Sequence, residues 1–382
     1  MKPELYIAGV AMTKFGRHDH LSMQDLAQQA VLGALDGAGV ESSAVQAIYC
    51  SNVYGGMALG QVLMRDLGTT GLPVYNVENA CASGATAVHL ASHSLRAGEF
   101  DTVLVFGVEQ LTRLGGGTIP LQRNDYKTEA YASQGMVLPA VYALRATRYL
   151  FEHGLRAEEL GKVAVKNRRH GARNPYAQIR QEISLDDVMG SRLVADPLTL
   201  YQCCPSAVDG AAALVLTTRL PHRTPAVRIL ASIIQSGKRE EGLSDILSAE
   251  ITARAAHLAY EQAGLGPQDV NVIELHDAFT IAELLYYEAL GLCGRGEGPG
   301  LLDQGVTALG GKVPVNPSGG LLAKGHPLGA TGVAQMVELV WQLQGRADNR
   351  QVPNARVALA QCTGGGIAGV DHAASAVHLL GV

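Results

Sequence analysis

Four short segments hold side chains that could make or break a covalent bond. In "NACASGATAVHLA" (79–91), Cys81 precedes small residues that open onto an apolar stretch with helical spacing. The positive end of a helix dipole at that point would lower the thiol pKa and favour a nucleophilic thiolate. A buried small hydrophobe is the ordinary alternative for a lone cysteine. In "NPSGGLLAKGHPLGATGVAQMV" (316–337), paired glycines and a Gly-His-Pro turn hold His326 rigidly before a helical pattern. An imidazole fixed beside a thiol is an activation pair for covalent catalysis; otherwise His326 is a helix-start histidine bonded to a carbonyl. In "VALAQCTGGGIAG" (357–369), a small-residue strand runs into Cys362 and three glycines, Gly364 among them. Unhindered N–H groups in such a turn suit an oxyanion, and Cys362 is a candidate second thiol acting as acid and base. A phosphate loop or plain turn fits that segment alone about as well. In "VIELHDAFTIAELL" (272–285), a strand ends at His276 and a helix follows; His276 could donate to a carbonyl oxygen, while Asp277 reads best as a helix cap.

The elements that must bring these segments together follow from comparing the chain with itself. "AVLGALDGAGVESSAVQAIYCS" (30–51) and "AAHLAYEQAGLGPQDVNVIELH" (255–276) both read as amphipathic helix, glycine stop and strand, in one register at an offset of 225. At an offset of 245, Gly84-Ala85-Thr86 matches Gly329-Ala330-Thr331 and Cys81 falls on His326; the strand at 101–109 corresponds to 355–363. Short apolar strands alternating with helices predict an α/β fold of two similar halves, 1–221 and 222–382, with reactive groups at equivalent helix starts. Residues from about 112 to 195 do not repeat and read as an inserted loop domain carrying a tyrosine-rich helix at 131–151.

Bulk composition narrows the function classes. The chain has 382 residues, 47% of them hydrophobic, and 45 glycines, enough for a large core. A net charge of −5 argues against nucleic acid and membrane surfaces as partners, so an anionic ligand needs local cations. Six cysteines without repeated metal-type spacing suggest reduced thiols, no metal site and a cytoplasmic location. The N-terminus lacks a secretory pattern, and no window is long enough to span a bilayer.

In their order along the chain, "NACASG", "GHPLGATG" and "CTGGG" resemble the motifs of the thiolase family closely, and the resemblance covers the whole chain. It implies the five-layered α-β-α-β-α thiolase fold, with Cys81 as acyl acceptor, His326 as base, Cys362 as second thiol and His276 at the enolate oxygen. The N–H groups of Cys81 and Gly364 would hold the thioester oxyanion. The His-Asp form at 276–277 is similar to the sterol-carrier-protein-2 type and archaeal-type branch. Some members of that branch carry a cysteine at the position of Ala278; here the thiol is Cys362.

The implied activity is CoA-dependent cleavage of a 3-oxoacyl-CoA, or the reverse condensation, with CoA as cosubstrate and no permanent cofactor. Lys166, Arg168, Arg169 and Arg173 form a candidate patch for CoA phosphates, with Ser318 a further candidate contact, although a charge run is more often a solvated helix face. The family assembles as dimers or dimers of dimers, and some relatives work with a small OB-fold, zinc-containing partner chain. A decarboxylative ketoacyl synthase, a retro-aldolase and a non-catalytic acyl-CoA-binding subunit are the alternatives; Cys362 argues against the first, and retention of every reactive side chain against the last.

Overall fold

The computed structural model describes residues 3–68, 71–115, 133–222, 225–238, 245–365 and 372–382. The first half runs β1 (Tyr6–Met12), α1 (Met23–Ala38), β2 (Ala47–Ser51), α2 (Leu59–Arg65), β3 (Val74–Val77), α3 (Ser83–Ala97) and β4 (Thr102–Gln110). An insertion follows, with α4 (Leu138–His153), α5 (Glu158–Ala172), α6 (Leu185–Met189) and the hairpin strands β5 (Leu193–Ala195) and β6 (Leu198–Thr199). Strand β7 (Asp209–Thr217) closes the first half. The second runs β8 (Val227–Ser236), α7 (Glu250–Ala263), β9 (Val272–Glu274), α8 (Thr280–Ala289), α9 (Gly298–Asp303), α10 (Gly320–Ala323), α11 (Leu328–Leu343), β10 (Val357–Gly364) and β11 (Ala374–Gly381).

Strand order is β3-β2-β4-β7-β1 in one half and β8-β11-β10-β9 in the other, so the second half repeats the first in mirrored sequence across the joint. Only Tyr6 with Arg228 and Ile7 with Val227 pair across that joint, between β1 and β8. The segments matched in the sequence place β2 on β9, and β4 on β10, as the sheet order requires. Helix α1 covers the outer face of the first half through Leu26, Ala30, Val31 and Ala34. Its start is set by a Ser22–Asp25 capping box and its end by Gly39 at φ 64°. Helices α7 and α8 cover the outer face of the second half.

Helices α3 and α11 lie between the two halves of the nine-stranded sheet and share one core with both. Their N-terminal turns cross at backbone contact. A Cβ added to Gly332 would lie 2.3 Å from the Ala85 nitrogen, and one on Gly84 would lie 2.9 Å from the Gly329 oxygen. The matched Gly-Ala-Thr segments are therefore small because two helix starts meet there, and this crossing brings Cys81 and His326 to one place.

The inserted region is held to the body by a buried polar network. Lys166 Nζ on α5 pairs with Glu283 Oε1 on α8 at 2.5 Å, and Asn167 donates to both Glu283 and Asp277 at 2.7 Å. Tyr287 donates to Glu283 as well. The tyrosine-rich helix expected at 131–151 begins at Leu138 and ends at His153, after Pro139 in its first turn. Residues 131–132, and most of "LGGGTIP", lie outside the described residues.

Candidate active site

Cys81 sits on the turn that leads into α3. Ala80, the residue before it, is left-handed at φ 49°, a conformation that costs an alanine about 1 kcal/mol. Ser83 holds the turn: its Oγ donates to Ala80 O at 2.5 Å and accepts from Asn79 N–H at 2.8 Å. The end of β10 lies directly on this turn, because a Cβ at Gly364 would lie 2.2 Å from Asn79 O. Cys362 Sγ reaches Cys81 O at 3.2 Å and His276 Nδ1 at 3.5 Å. The imidazoles of His276 and His326 meet edge to face, with ring centroids 4.8 Å apart. Donor atoms of Cys81, His276 and His326 all lie within 4.8 Å of one another. The structure thus gathers the four predicted side chains from four separate segments of the chain.

The tautomer of His326 follows from its neighbours. Its Nδ1 is 2.8 Å from Thr331 Oγ1, and that hydroxyl donates its proton to Pro327 O at 3.0 Å. The hydroxyl must therefore accept from the ring, so Nδ1 carries the proton and Nε2 the lone pair. Nε2 is buried without a hydrogen-bond partner, in the group that faces Cys81. A lone pair oriented this way is what a general base needs.

Burial sets the protonation states. It pushes the Cys81 thiol up to about 12, outweighing the N–H groups of Gly365 and of Cys81 itself that face the sulfur. His326 is held well below its ordinary value, first by burial and then by His276. His276 is lowered to about 3 and Cys362 raised well above the usual thiol value, both chiefly by burial. The resting pair is a thiol and a neutral imidazole. The helix-dipole expectation of a lowered Cys81 pKa is therefore corrected: desolvation beneath the packed sheets outweighs the helix start, which lies two residues further on.

Other predicted residues fall into different roles. Gly364 stays in the ladder opposite Ala374, while the next residue, Gly365, turns its N–H to the Cys81 sulfur. Asp277 is a cap, but of α10 and not of its own helix: Oδ1 accepts Leu321 N–H at 2.7 Å. Lys166 is internal and ion-paired as described, and Arg168 is buried over the Tyr201 ring at 5.0 Å. Ser318 Oγ donates to Glu274 Oε2 at 2.7 Å, and the same carboxylate pairs with Lys324 at 3.1 Å, all fully buried. Lys166 and Ser318 present no group to the surface, whereas Arg168 borders a surface pocket with Asp187 and Tyr201. Arg169 and Arg173 are exposed on the last turns of α5. The four basic residues therefore do not form one patch, because successive residues of a helix point to different faces.

Sequence reasoning missed Gly365, Thr331, Glu109 and a cluster around His372. Thr331 orients His326; it lies inside the quoted "GHPLGATG", but only the helical turn shows that its hydroxyl returns to the ring. Glu109, fully buried at the end of β4, accepts N–H bonds from Val53, Tyr54 and Gly329 at 2.9–3.0 Å and so ties the first half to the start of α11. Burial raises its pKa to about 7. Tyr142, Arg145 and Tyr286 converge on His372 Nε2 at 3.2–3.4 Å, and Tyr142 stacks on Phe279 at 4.4 Å. His372 Nδ1 lies 3.3 Å from Gly365 O, which joins this cluster to the Cys81 turn.

Comparison with known proteins agrees with this arrangement. The thiolase N-terminal domain model matches residues 5–219, and the thiolase C-terminal domain-like model matches 238–377. The chain belongs to the thiolase family. It is 44% identical to benzoylsuccinyl-CoA thiolase subunit BbsB of Thauera aromatica, over 96% of each chain. It is 40% identical to sterol carrier protein 2 of Oryctolagus cuniculus, covering 96% of this chain and 71% of that protein. An acetyl-CoA acetyltransferase of Methanothermobacter thermautotrophicus is 39% identical over 95% of this chain and 96% of that one. Among solved structures, the Ltp2-ChsH2(DUF35) aldolase superposes with a TM-score of 0.85 at 27% identity, covering 100% of this chain and 99% of that one. Human mitochondrial 3-ketoacyl-CoA thiolase, at 17% identity and a TM-score of 0.72 over 99% of this chain and 98% of that one, shares the fold. The thiolase fold and the sterol-carrier-protein-2 type branch read from the motifs are both borne out, and the chain is an enzyme of the thiolase acyltransferase type.

Proposed function

We propose that this thiolase cleaves a 3-oxoacyl-CoA, or runs the reverse condensation, through an acyl group carried on Cys81. The convergence of the Cys81 sulfur with the His326 and His276 nitrogens, beside Cys362, carries this reading. His326 Nε2 takes the thiol proton as the sulfur attacks the 3-keto carbon. Cleavage of the C–C bond leaves the acyl group on Cys81, and Cys362 S–H protonates the departing enolate. A second CoA gives its thiol proton to Cys362 and removes the acyl group as a thioester. His276, with His326 once protonated, hydrogen-bonds the enolate oxygen; the N–H groups of Cys81 and Gly365 hold the thioester oxyanion, in place of the Gly364 N–H expected from the motif.

The exposed Arg169 and Arg173 are the candidates for CoA phosphates. An aromatic acyl group is supported by the Tyr142–Phe279 stack near the Cys81 turn and by the name of the Thauera relative. We place the division between halves near residue 221, in the gap between the two matched stretches. Homodimers are supported by the edge strand β3, with Tyr75 43% exposed, and by Met57, 97% exposed near it in the chain. A small OB-fold, zinc-containing partner is supported by the subunit designation of one relative and the two-component name of one structural neighbour. Six free cysteines support a cytoplasmic location. Among the described residues no helix is long and apolar enough to cross a membrane.

A retro-aldol cleavage is the second reading, favoured by the similarity to an aldolase. It needs a base at a hydroxyl but no acyl-accepting thiol. The test assays the full chain, alone and with a copurifying partner, against short, branched and aromatic 3-oxoacyl-CoAs with CoA, and against a 3-hydroxyacyl-CoA without it. CoA-dependent loss of the 3-oxoacyl-CoA is expected; aldehyde release from the hydroxy compound alone would replace thiolysis with the aldol reading.

A further inference from the structure

The reactive cluster has a second chemical character, independent of whether its substrate is an acyl-CoA. One sulfur and two imidazole nitrogens lie within 4.8 Å of one another, and a second sulfur, that of Cys362, is 3.5 Å from His276 Nδ1. Tetrahedral zinc, with bonds of about 2.3 Å to sulfur and about 2.0–2.1 Å to nitrogen, holds its donors roughly 3.3–3.8 Å apart. A contraction of at most about 1.5 Å is therefore needed among the first three donors. His326 is 6% exposed, and its Nε2 has no hydrogen-bond partner. Its Nδ1–H is held by Thr331, the outer-shell hydrogen bond that a metal-ligating histidine ordinarily has. The donors are all sulfur and nitrogen, a set that suits soft and borderline cations and not magnesium or calcium.

We propose that Cys81, His276 and His326 form a three-donor binding site for a divalent cation of the zinc or cadmium class, with a fourth position left for solvent, whose occupancy reversibly blocks the enzyme. Binding replaces each ligating S–H by a sulfur–metal bond and releases that proton to solvent; the neutral imidazoles release none, and nothing is oxidised or reduced. The metal occupies both the Cys81 sulfur and the His326 lone pair, so it competes with any ligand that reacts there.

Titration of the metal-free full chain with Co2+ tests this by spectroscopy and needs no turnover. A thiolate-to-cobalt charge-transfer band is expected to saturate at one equivalent, to disappear with a chelator and to be displaced by Zn2+. Cys81→Ala is expected to weaken binding at least about tenfold, and Thr331→Val about 10- to 100-fold with the band retained. In the unmodified chain, Zn2+ is expected to protect Cys81 from iodoacetamide, mapped by peptide mass spectrometry. A band unchanged in Cys81→Ala, no saturable band up to millimolar Co2+, or Cys81 alkylation indifferent to Zn2+ would each overturn the proposal.

Discussion

Burial holds Cys81 as a thiol and His326 as a neutral imidazole at rest, so in the proposed mechanism the proton would pass only as the sulfur attacks a carbonyl. Alkylation of Cys81 by iodoacetamide is therefore expected to rise about tenfold per pH unit from about pH 6 to 9 without a plateau. A plateau with a midpoint near neutrality, read from mapped modification rates, would show a preformed ion pair instead. At this scale Cys81, His276, His326 and Cys362 were legible because each stands in a short glycine-rich or strand-end segment whose form is locally set. Thr331 and Gly365 were not, since the direction of a hydroxyl or a single N–H depends on the turn around it. Lys166 misled for a related reason: in "KVAVKNRRHGAR" the charges are plain, but which helix face turns inward is decided by Glu283, more than a hundred residues away.

Between elements, the crossing of α3 and α11 sets the distance from Cys81 to His326. Gly332→Ala places a methyl group 2.3 Å from the Ala85 nitrogen, so the helices must part. A loss of about 1–3 kcal/mol is expected in denaturant unfolding, with kcat falling in the protein that remains folded. Unchanged stability would show that the crossing is looser than described. Lys166→Met leaves Glu283 buried without its cation and is expected to cost about 3–5 kcal/mol, with the KM for CoA unchanged. A raised KM at full stability would return Lys166 to the CoA site. Sequence periodicity revealed the paired helices and strands. It could not reveal the polar network beneath α5, whose members come from the insertion, α8 and the loop before α10.

Over the whole molecule, the same desolvation that tunes the site makes the fold sensitive to acid. His170, His276, His326, His372 and His378 are buried and held neutral, each with a lowered pKa. Their stabilising contribution is complete above about pH 6.5 and is lost as pH falls, by roughly 1 kcal/mol per histidine per pH unit, because only the unfolded chain takes up those protons. Glu109, Asp277 and Glu274, raised by burial, act in the opposite sense, favouring the fold at lower pH, but they are fewer. The Tm is expected to fall between about pH 7.5 and 5, measured calorimetrically; a flat or rising Tm would mean that the histidines protonate within the fold. The duplicated architecture was legible because both halves keep one register over helix, turn and strand. The β1–β8 joint was not, as it rests on two residue pairs and no pattern.

Intact-protein mass spectrometry of the full chain mixed with acetoacetyl-CoA or an aromatic 3-oxoacyl-CoA, with and without free CoA, tests the acyl-Cys81 intermediate most directly. An acyl adduct that maps to Cys81, is absent in Cys81→Ser and is removed by CoA is the expected result. An acyl group on another residue, or full CoA-dependent turnover by Cys81→Ser, would contradict it.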